Sequence, residues 1–115
     1  GTSDNFIEPT IFADVAPDHT IGREEIFGPV LSVLSFKTEE EAVRIANATP
    51  YGLSAYYFSR DLARVWRVGE ALEYGILGVN TGLISTEVAP FGGMKESGIG
   101  REGSSLSGLA WKELL

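Results

Sequence analysis

The 115-residue sequence contains no cysteine and only one histidine, His19. A chain without cysteine forms no disulfide, binds no metal through thiolates and supplies no cysteine nucleophile. A single histidine cannot build a histidine triad or a multi-histidine metal site from this chain alone, and we interpret His19 as a solvated loop residue. We therefore expect no metal site.

Basic residues and long apolar runs are also scarce. Lysine and arginine number 9 against 16 aspartates and glutamates, which gives a formal net charge of -7. Domains that bind nucleic acid usually carry the opposite sign, so we expect no nucleic-acid partner. No apolar stretch approaches the roughly 20 residues that cross a bilayer, and no signal sequence stands at the start of the chain. We expect a cytoplasmic protein with no membrane partner.

Apolar periodicity predicts strands that alternate with helices. Asn5–Val15 is split by Pro9 and predicts a short or edge strand. The other predicted strands are Pro29–Phe36, Leu53–Phe58 and Ile76–Val79. The predicted helices are Thr38–Thr49 and Arg60–Leu72, with a final helix at Leu106–Leu115. This order indicates an α/β fold with a mostly parallel sheet and flanking helices.

Local signals mark where these elements begin and end. Thr38–Glu41 has the sequence of a capping box, and Asp61 stands near the start of the second helix. Gly75 is expected to close that helix in the left-handed conformation. Ala16–Arg23 has the composition of a loop. Asn80–Gly103 is a long, glycine-rich loop of the kind that is usually functional.

Two short motifs match known signatures without the expected context. Gly98–Gly103 reads G-x-G-x-x-G, but a dinucleotide fingerprint follows a strand and opens a crossover helix, whereas the residues before Gly98 read PFGGMKES. We interpret these as loop glycines. Asn47 begins a glycosylation sequon, which we set aside because the sequence shows no secretory context.

Two other clusters are candidate binding elements. Glu24–Pro29 offers carboxylates that accept hydrogen bonds from hydroxyl groups, such as those of a ribose, and the flat face of Phe27. From residue types alone, Glu24–Pro29 is also consistent with an ordinary turn that binds no ligand. Pro90–Gly103 contains paired glycines that permit close approach to a ligand or to another chain segment. Composition leaves a pocket rim and a tight structural loop equally open.

These clusters, with the sequence between them, resemble one family. Glu24–Val30 (EEIFGPV), Ile45–Asp61 (IANATPYGLSAYYFSRD), Gly78–Asn80 (GVN) and Pro90–Gly103 (PFGGMKESGIGREG) are similar, in order and spacing, to the C-terminal quarter of NAD(P)-dependent aldehyde dehydrogenases. Gly78–Ser85 (GVNTGLIS), followed by EVAPFGG and GREGS, is similar to the succinate-semialdehyde dehydrogenase branch. Glutarate semialdehyde and related carboxylated aldehydes remain open as substrates.

The resemblance implies a role for each residue at a matching position. Glu25 would hold the nicotinamide ribose of NAD or NADP, and Phe27 would lie beside the nicotinamide ring. Phe91 would belong to the aldehyde tunnel. Ser85 would line the substrate pocket, where its hydroxyl can donate a hydrogen bond to the distal carboxylate of a semialdehyde. Asn80 would support the loop at the end of a strand.

The resemblance also implies what these residues do not supply. The family's cysteine nucleophile, its glutamate base and its Rossmann domain precede the matched segment. Residues 1–115 are therefore expected to form a partial catalytic domain with no catalytic residue, inactive alone and without a tightly bound cofactor. The whole enzyme would be a homo-oligomer, although the sequence after Ser104 departs from the family's final helix and oligomer-forming strand.

Other interpretations remain open beside this one. A fragment of a larger enzyme is favoured because the only methionine, Met94, is internal. A non-catalytic interaction or regulatory module that kept part of the fold would have the same composition, as would a small nucleotide-binding domain without catalysis. An aldehyde dehydrogenase with a different substrate range is a further alternative.

Overall fold

The computed structural model describes residues 5–103 of the chain. The strands are β1 (Thr10–Phe12), β2 (Val30–Ser32), β3 (Tyr51–Gly52), β4 (Ser54–Tyr57), β5 (Ile76–Val79) and β6 (Met94–Lys95). The helices are α1 (Thr20–Arg23), α2 (Glu39–Asn47) and α3 (Leu62–Ala71). The helix predicted at Leu106–Leu115 lies outside the described residues. The chain divides into two units, Gly1–Ile45 and Ala46–Leu115.

Strand pairing is mostly parallel. Strand β1 pairs with β2 and strand β4 with β5, both in parallel, whereas the short strands β3 and β6 are antiparallel. A helix lies between the two partners of each parallel pair along the chain, α1 in the first and α3 in the second. This arrangement confirms the predicted α/β class.

The first unit is built on the parallel pair β1–β2. Thr10 pairs with Val30, and the amide of Val15 donates to the carbonyl of Val33 at 3.0 Å just beyond the strands. The Val15 side chain is only 6% exposed. Strand β1 is short, as the sequence predicts, and begins after Pro9, which has no amide hydrogen to donate.

The segment predicted as a loop before residue 24 contains one helical turn, α1. His19 is its exposed N-cap residue, and its Nδ1 accepts a hydrogen bond from the Ala16 amide at 3.4 Å. A Cβ at Gly22 would lie 2.7 Å from the Ala16 carbonyl oxygen. A single turn is too short to show apolar periodicity, so the sequence gives little sign of it.

Helix α2 begins with the predicted capping box. The Glu41 amide donates to Thr38 Oγ1 at 3.2 Å. The Glu41 carboxylate accepts from the Lys37 amide at 2.9 Å, one residue before the usual partner. Three glutamates in the first turn place negative charge at the positive end of the helix dipole.

In the second unit, helix α3 joins β4 to β5 and contacts the sheet through the side chain of Tyr57. Asp61 caps the helix by accepting from the Arg64 amide at 3.2 Å, as its position predicts. The Tyr57 hydroxyl donates to the Val65 carbonyl at 2.8 Å, and burial raises the pKa of that hydroxyl, so it stays a donor. A Cβ at Gly69 would lie 2.8 Å from the same hydroxyl oxygen, so the helix contacts the sheet where it has no side chain.

The predicted left-handed cap at Gly75 is wrong. Helix α3 ends at Ala71 with an extended C-cap residue, Leu72, and Gly75 is not among the residues with positive φ. Glycine is needed there for a different reason. A Cβ at Gly75 would contact the Gly92 carbonyl oxygen and lie 2.8 Å from the Gly93 Cα. Glycine is required at position 75 because its backbone packs directly against that of Gly92 and Gly93.

Most large apolar side chains of the described residues are exposed. Val15 is the only hydrophobic side chain that is buried among them. Phe6, Phe27 and Ile99 are more than nine-tenths exposed, and Trp66 on α3 is 67% exposed. A two-stranded sheet is marginally stable in water, so these residues do not close a core by themselves. None of the described helices has the length and apolarity needed to span a membrane.

We expect the isolated 115-residue chain to lack a cooperative unfolding transition, because its described residues bury so little apolar surface. It should bind the dye anilinonaphthalene sulfonate strongly at neutral pH and lose its circular dichroism signal gradually on heating. A single sigmoidal transition without dye binding would contradict this expectation.

Candidate functional site

The glycine loop, defined as Pro90–Gly103, is folded back on itself. The Phe91 amide donates to the Glu102 carbonyl, and the Glu102 amide donates to the Phe91 carbonyl, both at 2.8 Å. Between these two residues, strand β6 pairs with β3. The sequence predicts a loop over this stretch, and the structure shows that backbone hydrogen bonds hold it at its middle and near both ends.

The glycines of this loop allow three segments to touch. A Cβ at Gly92 would contact the Gly100 carbonyl and lie 2.6 Å from Arg101 Cδ. A Cβ at Gly93 would lie 2.6 Å from the Cβ of Ser97. The paired glycines are consistent, by composition, with close approach either to a ligand or to another chain segment. These distances show close approach of the loop to itself.

An open cavity of about 470 Å³ lies against the same loop. Its lining consists of Leu53, Phe91, Gly92, Gly93, Ser97, Gly100, Arg101 and Glu102. The volume is within the range of small-molecule sites, and the lining combines an aromatic ring with a few polar groups. The loop is thus tight and also forms one wall of a cavity. Phe91 lines this cavity, and its role in an aldehyde tunnel stays a prediction.

Arg101 carries an unsatisfied donor in this cavity wall. Its Nη1 donates to the carbonyls of Ile99 at 3.3 Å and Gly100 at 2.9 Å. Its Nε is buried and has no hydrogen-bond partner among the described residues. Buried donors in native proteins are nearly always paired, so the described residues do not complete the surroundings of this side chain.

Ser85 and Asn80 lie in the segment between β5 and the glycine loop. Ser85 is exposed and is not among the residues that line the cavity, so the structure does not bring it together with Phe91. Asn80 is left-handed, with φ 55°. Its amide nitrogen donates to the Ser59 carbonyl and its oxygen accepts from the Ser59 amide, both at 2.9 Å. Asn80 thus ties the end of β5 to the residues after β4.

In the first unit, Glu25 and Phe27 lie on the exposed turn before β2. The Gly28 amide donates to the Ile26 carbonyl at 2.9 Å, and the Val30 amide donates to the Gly28 carbonyl at 2.8 Å. These successive tight turns leave Phe27 95% exposed and the Glu25 carboxylate in solvent. An acceptor-only carboxylate beside a free aromatic face fits the hydroxyls of a ribose and a planar nicotinamide ring.

The sequence interpretation missed the structural role of Asn47. Its side chain donates to the Ala71 carbonyl at 2.8 Å and accepts from the Glu73 amide at 2.9 Å, so it joins the ends of α2 and α3. Nearby, the Tyr74 hydroxyl donates to the Ala46 carbonyl. Burial raises the pKa of that hydroxyl. The only sequence signal at Asn47 is the glycosylation sequon, which indicates nothing about this contact.

The G-x-G-x-x-G match is a loop, as predicted. It follows strand β6 through a turn in which the Gly98 amide donates to the Lys95 carbonyl at 3.2 Å. Gly98 and Gly103 both have positive φ, and Glu102, which pairs with the backbone of Phe91, lies between them. Among residues 5–103, no group of three or more His, Cys, Asp or Glu side chains is placed to hold a metal ion.

A family model describes this combination of elements. The model of the aldehyde dehydrogenase family matches residues 1–113. The chain belongs to the aldehyde dehydrogenase family. This confirms the resemblance inferred from the Glu24–Val30 and Pro90–Gly103 motifs.

Individual aldehyde dehydrogenases are similar over most of this chain and a small part of their own. The mitochondrial succinate-semialdehyde dehydrogenase of Arabidopsis thaliana is 63% identical over 86% of the chain and 19% of its own length. A glutarate-semialdehyde dehydrogenase of Pseudomonas putida is 56% identical over 87% of the chain and 21% of its own length. The structure of a Mycobacterium tuberculosis aldehyde dehydrogenase complexed with NAD+ matches with a TM-score of 0.80 and 43% identity, over 86% of this chain and 20% of the other. The chain thus spans about a fifth of the length of these relatives.

In a full-length aldehyde dehydrogenase that carries this segment, Gly92→Ala should lower kcat/KM for the aldehyde by roughly ten- to a hundredfold. The new methyl group overlaps the Gly100 carbonyl and Arg101, so the neighbouring Phe91 must shift, and displacements of about 1 Å have such effects. Steady-state kinetics checks this.

Gly82→Ala is the matched control for this substitution, because a Cβ at Gly82 meets nothing within 4 Å among the described residues and Gly82 does not line the cavity. Equal losses in the two variants would contradict the crowding argument.

Proposed function

We propose that residues 1–115 are part of the catalytic domain of an NAD(P)-dependent aldehyde dehydrogenase that oxidises a carboxylated semialdehyde, succinate semialdehyde foremost, to the acid. The observation that carries the substrate class is the 63% identity to a succinate-semialdehyde dehydrogenase over 99 residues. Glutarate semialdehyde is the second candidate, because a relative with that name is 56% identical.

The chain's contribution to the reaction is orientation. We assign the Glu25 carboxylate to accept a hydrogen bond from a hydroxyl of the nicotinamide ribose, and the exposed face of Phe27 to bound the nicotinamide ring. When bound, NAD(P)+ supplies a hydride acceptor for the aldehyde carbon. Both residues are exposed on a short, tightly turned segment, which supports a positioning role.

The aldehyde side of the site is assigned to Phe91 and Ser85. Phe91 lines the cavity at the glycine loop and would form an apolar wall beside the aldehyde chain. Ser85 would donate a hydrogen bond to the distal carboxylate. The support for Ser85 is its position in the GVNTGLIS motif and its exposed hydroxyl. The homo-oligomer and the cytoplasmic location stay predictions from the sequence.

We predict that the isolated 115-residue chain oxidises no aldehyde with NAD+ or NADP+. The sequence has no cysteine, so it cannot supply the thiolate nucleophile of this family. Following cofactor reduction at 340 nm with succinate semialdehyde, in a sample of verified purity, tests this. Turnover above the enzyme-free blank would show that the chain is a complete enzyme of another kind.

In the full-length enzyme, Ser85→Ala should reduce kcat/KM for succinate semialdehyde by roughly ten- to a hundredfold, because a hydrogen bond to a charged partner is worth about 1.5–3 kcal/mol. Alanine keeps the room in the pocket and removes only the hydroxyl. Kinetics with succinate semialdehyde, glutarate semialdehyde and an unsubstituted aliphatic aldehyde at saturating cofactor separates recognition of the carboxylate from a requirement for space.

The unsubstituted aldehyde is the control, since it has no carboxylate to lose and should be oxidised at nearly the unmodified rate. Equal losses with all three aldehydes, or no loss with any, would refute carboxylate recognition by Ser85. A larger unmodified kcat/KM for glutarate semialdehyde would make that aldehyde the preferred substrate.

A further inference from the structure

The Lys95 side chain is bound at every one of its hydrogen-bond donors. Its ammonium group donates to the carbonyl of Asn47 at 3.0 Å and to that of Thr49 at 3.2 Å. It also forms an ion pair with Glu73 at 2.6 Å. An ammonium group has three N–H donors, so these acceptors satisfy it. The Lys95 side chain is 24% exposed and that of Glu73 is 55% exposed, so the two carbonyl acceptors, rather than burial, distinguish this contact from an ordinary surface ion pair.

The backbone at Lys95 is held in an unfavourable conformation. Its φ is 56°, in the left-handed region that residues with a Cβ rarely adopt. Such a conformation persists where the surroundings determine it. Here β6 pairs with β3, with Lys95 opposite Tyr51, and the Gly52 amide donates to Ser97 Oγ at 3.0 Å. The loop is therefore held next to β3 in two ways. Its backbone pairs with β3 at Lys95, and the Ser97 side chain, two residues later, accepts a hydrogen bond from β3.

Two of the acceptors of Lys95, at Asn47 and Glu73, lie where hydrogen bonds join the ends of α2 and α3. The Asn47 carbonyl stands at the end of α2, and the Asn47 side chain bonds the backbone at the end of α3 through Ala71 and Glu73. Lys95 thus attaches the glycine loop to two helix ends at once. From this attachment the chain runs back through buried Gly93 and Gly92 to Phe91.

We propose that Lys95 is a positioning residue of the aldehyde site: its ammonium group anchors the glycine loop on the junction of α2 and α3 and thereby fixes where Phe91 stands. This inference rests on the proposed function only in naming the aldehyde as the molecule that Phe91 contacts. A compact ammonium is suited to three acceptors around one point, whereas the planar guanidinium of arginine is not.

The test is a double-mutant cycle in the full-length enzyme between Lys95→Met and Phe91→Ala. Methionine keeps much of the length and removes the charge and the donors. We expect Lys95→Met to raise the KM for the aldehyde about tenfold and to leave the KM for the cofactor within about twofold, since Glu25 and Phe27 hold the cofactor. In the Phe91→Ala background the same substitution should have an effect below about twofold, because the side chain that it positions is gone.

Arg44→Met is the matched control. Arg44 forms an exposed ion pair with Glu41 at 3.9 Å, so this variant removes the same charge without touching the loop and should behave as the unmodified enzyme. Equal effects of Lys95→Met with and without Phe91 would overturn the proposal. A loss confined to kcat, with both KM values unchanged, would do the same, because it reports fewer folded active sites.

A second measurement is independent of activity. Hydrogen exchange of the Phe91 and Glu102 amides, which donate to each other's carbonyls, should accelerate about tenfold in Lys95→Met and stay unchanged in Arg44→Met. Unchanged exchange in Lys95→Met would refute the anchoring role. If the unmodified enzyme oxidises no aldehyde, the proposed function fails, and the exchange rates still decide whether Lys95 orders the loop.

Discussion

The second unit depends on direct contact between backbone segments, which is possible because the residues at these contacts are glycines. Gly75 meets Gly92 and Gly93 at the start of β5, and Gly92 in turn meets Gly100 and Arg101. A methyl group at either contact would overlap a carbonyl oxygen. The packing lets the glycine loop lie against the rest of the unit, and hydrogen bonds from Lys95 and to Ser97 then fix its position along β3.

The exposed apolar surface places this packing within a larger protein. Only Val15 is buried among the hydrophobic side chains that the structure describes, and the chain spans about a fifth of its relatives' length. Each unit has good local structure, with capped helices and paired strands, but not a closed core. The Nε of Arg101 in the cavity wall has no partner among the described residues. Because a buried donor without a partner is costly, this also indicates that further residues pack against the unit. Local hydrogen bonding therefore defines the elements, and further packing must supply their stability.

The proposed function divides cleanly between the two units. Glu25 and Phe27 belong to the first unit, on a short exposed turn suited to hydroxyls and a planar ring. Phe91 belongs to the second, in a loop that glycine contacts and Lys95 hold in place. In the proposed function these residues orient the substrate and cofactor and make or break no bonds. Orientation is sensitive to displacements on the scale of the contacts described at Gly92.

Features that depend on neighbouring residues can be read from the sequence alone. The capping box at Thr38, the cap at Asp61 and the parallel α/β order follow from local signals, and the family follows from motifs with fixed spacing. Features that depend on residues far apart in the chain are visible only in the folded structure. Gly75 has the sequence of a helix cap, yet it is a packing contact with Gly92, and Asn47 has only a sequon to mark a junction between two helices. Both roles come from partners more than 15 residues away, and local patterns do not encode such separations.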